Sequence, residues 1–104
     1  MGARDFDNKI GTEVKPSDGI KIILVGIQKR IQNLHSDSGN SGFLQQLLNE
    51  ASELIKLTDK EAGAKIWEYS IELNFYLKGG EDDLVLFYKC KAETLTIIAK
   101  QVSR

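Results

Sequence analysis

Apolar residues recur at every third or fourth position through four successive runs of this chain, and that spacing constrains the fold more than any other feature. It lays apolar side chains along one face of an α-helix, whereas a half-buried strand would alternate them. In the first run Ile20, Ile23, Leu24, Ile27, Ile31 and Leu34 make the stripe, with Lys21, Gln28 and Gln32 opposite. Ser17 or Asp18 can accept from the free amides of the first turn, and SDSGNSG at 36–42 supplies turn formers after the last one. A second stripe follows in Leu44, Leu47, Leu48, Ala51, Leu54 and Ile55, with Gln45, Asn49, Ser52 and Lys56 as the wet side. Thr58 and Glu61 then have the spacing of a capping box, which starts a third helix.

Residues 67–90, WEYSIELNFYLKGGEDDLVLFYKC, carry six of the eight aromatic residues and admit two readings. Ile71, Leu73, Phe75 and Leu77 alternate with polar or aromatic neighbours, and Leu84 to Tyr88 is a short apolar run after a glycine pair, as in a β-hairpin. Against this, Ile66, Tyr69, Leu73 and Tyr76 recur at helical spacing from the capping signal onward. Beyond the glycines Leu84, Phe87, Tyr88, Ala92, Leu95, Ile98 and Ala99 trace one helical face, with Lys89, Glu93, Thr96 and Lys100 opposite. Gly79 or Gly80 can end one helix in the left-handed conformation, and Asp82 or Asp83 can cap the next. Two helices are the preferred reading for 71–88, with the hairpin kept open.

A chain of 104 residues supports one core. The expectation is therefore an all-α protein: a small antiparallel four-helix bundle over 17–104, preceded by a flexible N-terminal arm over 1–16 in which Phe6, Ile10 and Val14 are the main apolar residues. Fourteen basic and fifteen acidic side chains give a net charge of −1, spread through both halves, which argues against nucleic acid as a partner. The longest apolar run, around Ile22 to Ile27, is far short of the roughly 20 residues that span a bilayer, so no membrane is expected. Cys90 is the single cysteine, which excludes an intrachain disulfide and fits a reducing, cytoplasmic setting.

The third helix has two apolar sides. At 100° per residue Ile66, Tyr69, Leu73 and Tyr76 cluster on one, while Trp67, Ile71 and Phe75 fall almost opposite, leaving only a narrow polar strip of Glu61, Lys65, Glu68 and Glu72. One apolar face suffices for a helix in a four-helix bundle, so the second must meet something. Either the helix sits centrally, with the first helix or the N-terminal arm on that side, or Trp67, Ile71 and Phe75 anchor a partner or a second copy, with Glu68 and Glu72 at the rim.

Catalytic patterns do not emerge. His35, the only histidine, falls at the end of the first helix, where it suits neither a histidine metal pair nor phosphotransfer. Cys90 has no base placed to activate it and reads as a packed thiol. The loop from Asp37 to Gly42 begins like a calcium loop, but Gly39 stands at a ligand position and Leu48 at that of the closing glutamate. Glu81, Asp82 and Asp83 suit a hydrated cap, and Glu68 with Glu72 lacks the burial that separates an acid from a base. The expectation is a non-enzyme without cofactor or metal. It would act as an adaptor, inhibitor, immunity-type or assembly factor that binds another protein or itself; the alternative is a ligand-binding or regulatory domain with an aromatic-lined pocket.

Overall fold

A computed structural model describes residues 16–35, 40–78 and 84–104, with 76–78 as backbone alone. They form four helices: α1 (Asp18–Gln32), α2 (Asn40–Lys56), α3 (Lys60–Lys78) and α4 (Leu84–Val102). Among the described residues there is no strand, so the hairpin reading of 71–88 gives way to two helices. The expected N-terminal arm, apart from Pro16, and the Gly79, Gly80, Asp82 and Asp83 signals lie outside the described residues.

Local signals explain most boundaries. The Ser17 side chain accepts from the Ile20 amide at 3.2 Å and starts α1. At the other end of α1, Lys91 of α4 donates its ammonium to the carbonyls of Gln32 and Leu34, satisfying free acceptors where the helix dipole is negative. The capping box at Thr58 and Glu61 is displaced by one residue. Asp59 is the cap: its carboxylate accepts from the Ala62 amide at 3.1 Å, while Thr58 turns its hydroxyl back to the Ile55 carbonyl. The carboxylate wins because it is charged and also receives the side-chain amide of Gln101, a bond that Thr58 could not replace.

α2 touches each of the other helices, whereas α1 and α3 make no contact. The shared core contains Leu24, Ile27 and Ile31 of α1, Leu44, Leu48, Ala51 and Ile55 of α2, Ile66, Tyr69 and Leu73 of α3, and Leu86, Phe87, Cys90 and Ile98 of α4. α2 and α3 run antiparallel, since Ser52 bonds Gly63 while Asn49 bonds Ser70, and α3 and α4 do likewise, since Asp59 meets Gln101 while Tyr69 meets Glu93.

Two expected faces are corrected. The supposed wet side of α2 is the side that packs on α3: Ser52 is fully buried, Gln45 and Asn49 are half-buried, and only Lys56 of that set is exposed. In α4 the buried set is Leu86, Phe87, Cys90, Thr94, Ile98 and Gln101, while Leu84, Tyr88, Ala92 and Ala99 are exposed. Its inner face is thus turned by about one residue, roughly 100°, from its apolar stripe. Gln101 is held there by Asp59, and Cys90 donates weakly to the Tyr69 carbonyl, so these polar groups are buried with partners; among the described residues the Thr94 hydroxyl has none.

Candidate docking face on helix α3

The position of α3 is set by a close seam with α2. A Cβ added at Gly63 would lie 2.9 Å from the backbone nitrogen of Lys56 and would collide with its Cγ, so the two backbones approach as closely as glycine permits. The seam satisfies its polar groups internally. Ser52 donates to the Gly63 carbonyl at 2.8 Å, and Ser70 donates to the Asn49 side-chain oxygen.

A second fastening joins the start of α3 to the end of α4. Asp59 accepts from Gln101 at 3.0 Å and lies 3.7 Å from the Arg104 guanidinium, which also donates to the Gln101 side-chain oxygen at 3.3 Å. A third lies further along, where Tyr69 donates to Glu93 at 2.9 Å. Burial, together with that bond, pushes the Tyr69 phenol up to about 12. Burial and the nearby charge of Glu72 push the Cys90 thiol up to about 11, which leaves it neutral and unsuited to nucleophilic attack near neutral pH.

With α2 on one flank and α4 on the other, no described helix covers the outer side of α3. Trp67 is 43% exposed, Ile71 50% and Phe75 73%, and the three follow one another at i, i+4 and i+8 as a ridge. The first helix does not reach it, which removes α1 from the central-helix explanation. Glu68 is exposed beside the ridge. Glu72 is half-buried and lies further round toward α4, where its charge acts on Tyr69 and Cys90.

Lys56, missed as a site residue, places its ammonium 5.1 Å from the centre of the Trp67 ring. Sequence spacing gives no warning of it, because the two residues face each other only after the α2–α3 turn has formed. The ridge therefore has a cation on one side and the Glu68 carboxylate on the other. No protein-family model, curated protein or solved structure matches the chain.

Among the described residues no group of three or more His, Cys, Asp and Glu side chains is placed to hold a metal, and no helix is long and apolar enough to cross a membrane. The exposed His35 accepts at its carbonyl from Asn40 at 2.6 Å. A cleft of about 320 Å³ between the start of α3 and the end of α4 is lined by Asp59, Glu61, Lys65, Ile97, Lys100 and Gln101, with no aromatic residue.

Proposed function

We propose that this protein is a non-enzymatic interaction module, an antiparallel up-and-down bundle of the cytoplasm that presents the outer face of α3 to another protein or to a second copy. Trp67, Ile71 and Phe75 are its anchors, Lys56 and Glu68 border them, and Glu72 stands at the α4 side. The reading rests on one observation: three large apolar side chains at successive turns stay exposed on a helix whose opposite face is already buried. Apolar docking of such a ridge would remove it from water, and tryptophan would contribute most per residue.

The test is gel filtration with light scattering over a range of concentrations, and pull-down from the native source, for the wild-type chain and Trp67→Glu. Loss of an oligomer or of a captured partner, with helix content unchanged, supports the reading. Unfolding of both Trp67→Glu and Ile71→Glu would place these residues in the core and overturn it.

A further inference from the structure

A second apolar surface lies away from α3, in the groove between α1 and α2. Ile23 and Ile27 of α1 and Leu54 and Leu57 of α2 form its walls, and the volume of about 440 Å³ is open on one side. Ile23 and Leu57 are both more than half exposed. Glu50 and Glu53 stand on the α2 rim, and among the described residues neither forms an ion pair, although the exposed Arg30 lies within a turn of Ile27.

Gly26 adds an independent observation. It sits in the interior of α1, where glycine costs about 1 kcal/mol relative to alanine. Among the described residues no close approach requires it, since a Cβ there would meet no atom within 4 Å. At 100° per residue it lies about 60° from Ile23 on the side away from Ile27, half-buried and next to the groove's α1 wall without lining it. A missing side chain on an open helical face lets another backbone come close, and apolar walls beside it offer that backbone's side chains a place to enter.

We infer that the α1–α2 groove is a docking site for an amphipathic helix of a partner protein that bears aliphatic residues on one face and lysine or arginine along its edge. The aliphatic residues fill the space between Ile23, Ile27, Leu54 and Leu57, the backbone crosses at Gly26, and the basic edge pairs with Glu50 and Glu53. Electrostatic complementarity chooses the sign of the partner, while the apolar walls supply most of the affinity. This site is separate from the α3 ridge and does not depend on it.

The probe is a fluorescein-labelled leucine–lysine helical peptide, compared with a leucine–glutamate peptide of the same pattern, titrated into the full chain with anisotropy and amide chemical shifts as readouts. The lysine peptide should shift Ile23, Ile27, Leu54 and Leu57, bind about tenfold more tightly than the glutamate peptide, and leave Trp67 fluorescence unchanged. Glu50→Lys combined with Glu53→Lys should weaken it about tenfold. Gly26→Leu should block it while leaving thermal stability equal or higher, which separates loss of docking from loss of fold. Equal binding of both peptides, unchanged affinity of Gly26→Leu, or shifts confined to the ridge would overturn the inference. So would groove shifts that follow protein concentration alone, which would name a second copy as occupant, or that follow Phe6→Asp and Ile10→Asp, which would name residues 1–15.

Discussion

Two regions of α3 differ sharply in side-chain size: the strip that meets α2 and the ridge that faces solvent. Against α2 the helix sets Gly63 and Ser70, small residues matched to Ser52 and Asn49; toward solvent it sets Trp67, Ile71 and Phe75. Side-chain size explains the difference. Two backbones can come close only where Cβ substituents are few, and the polar groups on that side must then bond each other because water is excluded. Large side chains cannot enter such a seam, so Ile66, Tyr69 and Leu73 pack beside it in the core, while Trp67, Ile71 and Phe75 are left on the outside.

The largest test of this contrast is Gly63→Leu. It should destabilise the fold by about 3 kcal/mol in urea unfolding, since the intruding atoms meet the backbone nitrogen and Cα of Lys56 as well as its Cγ. A neutral result would mean that α2 and α3 are not tightly apposed in solution. Next comes a matched pair across the helix: Ile66→Ala should cost about 3 kcal/mol and Ile71→Ala under about 1 kcal/mol, because the first is fully buried and the second half exposed. Equal losses would mean that the outer face is covered by something within the chain.

Replacing Asp59 by alanine should cost about 1 to 2 kcal/mol by removing the cap of α3 and leaving Gln101 without its acceptor. Alkaline pH tests the α4 side. The phenol of Tyr69 and the thiol of Cys90 are both held above their ordinary values in the folded chain, so each contributes stability that is complete below about pH 9. That contribution is lost as pH rises through about 11 for Cys90 and about 12 for Tyr69. Tyr69→Phe should flatten the upper part of that decline in a pH series of urea midpoints. The smallest effect belongs to Lys56→Gln, which should cost about 0.5 kcal/mol and shift Trp67 emission as the cation leaves the ring.

Much of the architecture was legible because local chemistry carries it. The Ser17 cap, the stripe of α2 and the inner stripe of α3 through Ile66, Tyr69 and Leu73 stand where spacing put them. The outer ridge was legible too, as a surplus face without an assigned use. The errors share one cause. Ser52, Thr94 and Gln101 are read as polar or passed over by spacing alone, yet all are buried, and for two of them a hydrogen-bonding partner from elsewhere in the fold makes burial tolerable, whereas Cys90 is packed as its reading as a buried thiol expects. Ile23, by contrast, belongs to the apolar stripe of α1 and still lies half outside, because that stripe is wider than the surface α2 and α4 cover.

The amino-acid order by itself determined that the described chain is helical, roughly where each helix begins, and that α3 has more apolar surface than one packed face requires. These follow from spacing and capping, which act within a few residues. Tertiary structure alone decided that the polar side of α2 is a seam, that α4 turns its threonine and glutamine inward, and that α1 stays clear of α3. Each depends on which groups meet across helices, and a buried polar group is stable only where its partner arrives from elsewhere in the fold.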